Sequence, residues 1–154
     1  MLNDVYNARI LDLAGNIPRL GRLENPDASA TAHSKLCGSK IAVDLTMEGD
    51  AVTGYGQDVK ACLLGQTSAA VVGQHIVGST AGELREIAGQ MRRMLKEGGE
   101  PPSGKWADLA VLEPVRDYRA RHASTLLVFD AVLDAIGQIE RARAERQPAP
   151  AAGS

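Results

Sequence analysis

Aromatic side chains are nearly missing from this 154-residue chain, which has one Phe, one Trp and three Tyr. Its core must therefore be aliphatic and small, and the many Ala and 16 Gly predict closely packed helices and tight turns. There is no charge excess: the formal net charge is -2, with Lys and Arg mixed among Asp and Glu, so no electrostatic footprint for nucleic acid exists. No run approaches the roughly 18 apolar residues of a membrane span. The start, Met1-Leu2-Asn3-Asp4, lacks a basic region followed by an apolar one, so the expected location is cytoplasmic. Only two cysteines are present, Cys37 and Cys62, and in that compartment they are expected as thiols rather than as a disulfide. G-x-S-x-G, H-E-x-x-H and phosphate-loop patterns are all missing, and no Cys–His catalytic pair stands out, so the chain is not expected to be an enzyme.

What is present reads as one domain over residues 1–143 with a disordered Pro/Ala-rich tail over 144–154. Tyr6, Ile10, Leu13, Ile17 and Leu20 form one apolar stripe, which predicts a helix over 4–20. Residues 21–34 read as loop. Ile41, Val43, Leu45 and Met47 alternate with Lys40, Asp44 and Thr46 as in a half-buried strand. Glu48-Gly49-Asp50 is a turn, and 51–60 is a second strand of an antiparallel hairpin. Helices follow over 62–77, 80–97 (capped by Ser79 or Thr80, with Glu83 three residues after Thr80 as in a capping box), 105–113 and 121–143, with Pro114 as an interruption. The order predicts an α+β fold, a small antiparallel sheet packed against several helices.

The chemistry is expected at the thiols. Cys37 precedes a strand beside Gly38, and Cys62 falls at a helix start, where unpaired N–H groups favour a thiolate. They are 25 residues apart with a hairpin between, which can bring both to one end of the sheet. A zinc ion or a [2Fe-2S] cluster normally takes four ligands. His122, at the start of the last helix, is the first candidate for a further one; His33, His75 and Asp58 are weaker candidates.

Several segments together resemble the iron–sulfur cluster assembly scaffolds of the IscU, SufU and NifU N-terminal type. Asp4-Val5-Tyr6-Asn7-Ala8-Arg9-Ile10-Leu11-Asp12 is similar to the family's opening helix. Leu36-Cys37-Gly38-Ser39 resembles its first cysteine motif, with Ser39 where the family carries an acidic ligand. Gly56-Gln57-Asp58-Val59-Lys60-Ala61-Cys62 resembles the second strand and second cysteine, and Glu113-Pro114-Val115-Arg116 the loop before the third. Aligned through Tyr118, Ala120-Arg121 and Leu127, that third cysteine falls on Ser124.

The resemblance implies an IscU/SufU-like fold over roughly residues 4–140 and a non-enzymatic role. Iron and sulfur would be held at Cys37, Cys62 and His122, as a [2Fe-2S] cluster or iron, with zinc as the alternative metal. It also implies a cysteine desulfurase and recipient apoproteins as partners, and it allows a homodimer. Three readings stay open: a cluster or metal at that ligand set, a thiol pair that passes persulfide, and a scaffold fold that has lost its site and serves as an interaction or regulatory module.

Overall fold

The computed structural model describes residues 7–35 and 38–146. Residues 4–6 of the predicted first helix, Cys37, and the tail from 147 onward lie outside them. Helix α1 spans Ala8–Gly15, opened by Asn7, whose side chain accepts from the Ile10 N–H. It ends well before the predicted residue 20. Pro18 disfavours helical backbone at Ile17, and the chain leaves the helix at Asn16. Leu20 is consequently 60% exposed instead of lying on the apolar stripe, while Ile10 and Leu13 are buried as expected.

The sheet has three antiparallel strands, not two: β1 (Ala28–Ser34), β2 (Ser39–Glu48) and β3 (Ala51–Lys60), in the order β1-β2-β3. The segment read as a loop thus contains a strand. Its sequence, Ala-Ser-Ala-Thr-Ala-His-Ser, buries Ala28, Ala30 and Ser34. Those side chains are too small to register as an apolar alternation. Along β2, Ile41, Val43, Leu45 and Met47 face the core as predicted.

The opposite face of β2 is covered too. Asp44 is 1% exposed, beneath residues 22–23. Its row across the sheet is Ser29–Asp44–Gly56. A Cβ on Gly56 would sit 2.5 Å from the Gly21 carbonyl oxygen, so this position admits only glycine while Gly21 lies against it. Gln57 fixes the same segment: its N–H donates to Arg19 O and its carbonyl accepts from Gly21 N–H. Gly56→Ala is expected to lower stability by about 1–3 kcal/mol, through a clash that only backbone movement relieves. Urea denaturation checks this, and a midpoint equal to that of the unchanged chain would show that the contact is slack.

Helix α2 (Leu63–His75) is buried nearly all round, and Gly65, Ser68, Ala69, Ala70 and Gly73 let its neighbours approach closely. Thr80 caps α3 (Ala81–Glu97) by accepting from Glu83 N–H, and Gly98 ends it in left-handed conformation, φ 66°. The predicted short helix is a run of 3-10 turns over Gly104–Asp117 that continues through Pro114. Trp106, Leu109, Leu112 and Val115 anchor it in the core. Helix α4 (His122–Arg146) runs three residues past the predicted end at 143 and packs across β1, β2, α2 and α3. No helix among the described residues is long and apolar enough to cross a membrane.

Candidate functional site

Cys62 lies two residues after β3 and opens α2. It is the N-cap residue, with extended backbone, φ -65° and ψ 170°. The strand-to-helix switch at this point puts its thiol where three elements meet. From β2, the Ser39 Oγ accepts a hydrogen bond from the Cys62 N–H at 3.2 Å. From α4, the Ser124 Oγ accepts from the Cys62 Sγ at 3.2 Å. The Ser124 hydroxyl in turn donates to the Arg121 carbonyl, 3.2 Å away. Ser39 and Ser124 are buried, at 3% and 0% exposure, and Cys62 is part-buried.

The approach of α4 rests on residues that sequence reasoning passed over. A Cβ on Gly65 would lie 3.0 Å from the Ser124 carbonyl oxygen and 2.9 Å from Ala61 Cβ. One turn further along α2, the Ser68 hydroxyl donates to the Thr125 carbonyl at 2.7 Å. A small residue and a buried hydroxyl at these two places bring the start of α4 onto the start of α2. The only available signal was the run of small residues in α2, which by itself does not say what packs there. Gln57 was likewise missed. It is fully buried, its amide donates to the Pro18 and Ala69 carbonyls, and its Oε1 accepts from Tyr55 Oη.

The remaining candidates are placed as follows. Cys37 lies outside the described residues; its described neighbours Lys35 and Gly38 fall between Ser34 and Ser39, which pair with each other. His122 is 5% exposed, and its Nε2 lies 3.1 Å from both the Val115 and Arg116 carbonyl oxygens. That nitrogen is a donor to backbone. His33 is exposed on β1, opposite Lys40. Asp58 is exposed on β3, and His75 packs edge-on against Trp106 with ring centroids 5.8 Å apart. Among the described residues no three His, Cys, Asp or Glu side chains converge as a metal site.

The meeting of Ser39, Cys62 and Ser124 is the arrangement the sequence resemblance implies for ligand positions, here with two of them occupied by serine. No family model matches the chain. A solved structure of a nitrogen-fixing NifU-like protein (N-terminal) from Brucella abortus is 56% identical, with a TM-score of 0.90, covering 91% of this chain and 97% of that one. The chain belongs to the NifU N-terminal/IscU family of iron–sulfur assembly scaffolds. It is a divergent member, lacking the third cysteine and the acidic ligand. The iron–sulfur cluster assembly scaffold protein IscU of Thermotoga maritima is 23% identical over 137 residues, 89% of this chain and 96% of its own length. A scaffold protein for the SUF system from Fervidobacterium islandicum AW-1 shares the fold at a TM-score of 0.79 and 21% identity, over 86% of this chain and 96% of that one. The NifU/IscU scaffold fold is therefore the fold of this chain, and like its family the protein is non-catalytic.

An iron–sulfur cluster is cargo for such a scaffold, and among the described residues the side chains bonded to Cys62 fit it poorly. A cation or cluster needs thiolate, carboxylate or imidazole donors. Ser39 and Ser124 bring neutral hydroxyls, each already committed to a hydrogen bond. The Nε2 of His122 is committed to carbonyl oxygens.

Proposed function

We propose that this protein acts within iron–sulfur cluster assembly as an interaction or regulatory module, without a stable metal site of its own. The observation that supports this reading is the Ser39–Cys62–Ser124 contact, in which one hydroxyl takes the Cys62 N–H and the other the thiol, where a scaffold would place charged ligands. Its partners are a cysteine desulfurase and recipient apoproteins, which recognise the fold's surface. In that role a chain that keeps the fold and lacks the ligands competes with full scaffolds for the same partners, or holds a partner without loading it.

Anaerobic purification with iron, sulfide and zinc quantification tests the reading. The expected result is far less than one metal ion per chain, unchanged in Cys37→Ala and Cys62→Ala. Binding to a desulfurase, read by co-purification or calorimetry, is expected to survive Cys62→Ala, since it depends on surface and not on a shared metal. Stoichiometric iron with sulfide, or zinc, that is lost in both cysteine variants would overturn the reading in favour of a working scaffold.

A further inference from the structure

A second polar site lies where the 3-10 turns lead into α4. Lys96, at the end of α3, and Arg116, Asp117, Arg119 and His122, with Leu95 as one wall, enclose a cavity of about 390 Å³. That is within the size range of small-molecule pockets. Three cations converge on it, and they are nearly free of local partners. Among the described residues Lys96 and Arg119 make no ion pair, and Arg116 has only Glu113, at 3.9 Å. Unpaired cations around a concavity favour an anionic ligand, and arginine forks suit carboxylate and phosphate oxygens.

Other lining groups demand something different. His122 Nε2 faces two carbonyl oxygens, so that nitrogen carries a proton and donates to them. No sealed side-chain nitrogen or oxygen among the described residues lacks a hydrogen-bond partner. Nδ1 has none among them, so it is open rather than sealed, in a residue that lines the cavity. A ligand hydroxyl can donate to the exposed Asp117 carboxylate and can bond His122 Nδ1 as donor or acceptor. A bare polyanion supplies no donor and is repelled by Asp117. We propose that this cavity binds a small hydroxylated anion, a sugar phosphate or a hydroxy-polycarboxylate, with its charged groups on Lys96, Arg116 and Arg119 and its hydroxyls toward Asp117 and His122. The assignment does not depend on whether Cys62 holds a metal.

Calorimetry on the full chain at fixed physiological ionic strength, with ribose 5-phosphate, citrate and tricarballylate, tests it. At least one hydroxylated probe is expected to bind, and which of the two binds tighter separates phosphate from carboxylate as the anionic group. Tricarballylate, which is citrate without its hydroxyl, is expected to bind about fivefold or more weaker than the tighter hydroxylated probe. The double variant K96A/R119A, both at exposed positions, is expected to weaken binding about tenfold or more. Arg141→Ala, exposed further along α4, is expected to leave binding unchanged. No binding by any probe, wild-type affinity in K96A/R119A, or equal loss in Arg141→Ala would overturn the site. Tricarballylate binding as tight as the hydroxylated probes would overturn the ligand class.

Discussion

Replacing Ser39 with Asp and Ser124 with Cys is expected to turn this protein into a tight zinc binder that also accepts a reconstituted iron–sulfur cluster. Both oxygens already lie at 3.2 Å from Cys62 atoms, Ser39 Oγ from the backbone nitrogen and Ser124 Oγ from the thiol. Two thiolates sharing a tetrahedral zinc at 2.3 Å bonds sit about 3.8 Å apart, so a sulfur at position 124 needs only a small adjustment. With Cys37 the double variant carries three thiols and a carboxylate, all negative in the metal-bound form. Zinc affinity is expected to rise on the order of a thousandfold, read by competition with a chromophoric chelator, and sulfide reconstitution is expected to give visible absorbance. Ser124→Cys alone should fall between the two. If the double variant takes up no more metal than the unchanged chain, the three positions do not converge on one metal, and the family alignment at residue 124 is mistaken. This outcome is separate from the metal content of the natural chain, since a gained site speaks to geometry and not to present function.

Acid is expected to destabilise the protein through one residue. Asp44 accepts from Arg22 Nε at 2.7 Å, Arg22 Nη2 at 2.8 Å and Leu23 N–H at 3.0 Å, and it also bonds the Ser29 hydroxyl. The Arg22 hydrogen bonds do most to hold its carboxyl at about 2, below the ordinary 3.8, and they outweigh the opposing effect of burial. Because the folded value is the lower one, the ionised group contributes stability that is complete above the unfolded value and is lost as pH falls through about 2. That difference corresponds to about 2 kcal/mol. Asp44→Ala is expected to cost roughly 2–4 kcal/mol at neutral pH. It strands the Leu23 N–H and the Ser29 hydroxyl, while Arg22, 57% exposed, regains water. Asp44→Asn should lose less and should flatten the stability profile between pH 4 and 2, measured by urea midpoints. An unchanged acid limb in Asp44→Asn would show that other carboxylates govern it.

Asp44 also marks a limit of sequence reading. Alternation correctly placed Ile41, Val43, Leu45 and Met47 on one face of β2, but it assigned Asp44 to solvent by default. What buries the carboxylate is a chain segment twenty residues earlier, a relation no local period encodes. Strand β1 escaped for a different reason: alanine and serine differ too little in hydrophobicity to mark a face. Helix α3 was legible to within a residue, as 80–97 against Ala81–Glu97, because its cap, its stripe and its terminal glycine agree. The 3-10 turns through Pro114 were not, since proline argues against an α-helix but not against 3-10 geometry. At the candidate site, the family resemblance located Ser39 and Ser124, and the contacts with Cys62 bring both together. The bonds at His122 Nε2 are set by the Val115–Arg116 backbone and so were invisible in residue identity.

Helix α4 has one more property. Its first turn meets the thiol through Ser124, and near its other end Arg143 donates to the Met47 and Gly49 carbonyls at the hairpin turn. From Ser124 to Arg143 the helix rises about 29 Å, and from Ser39 to Glu48 strand β2 extends about 30 Å. Helix and hairpin are thus two rods of equal length, pinned together at both ends. A change of one turn in either would pull Ser124 out of reach of Cys62, so the spacing at the thiol is gauged from the far side of the molecule.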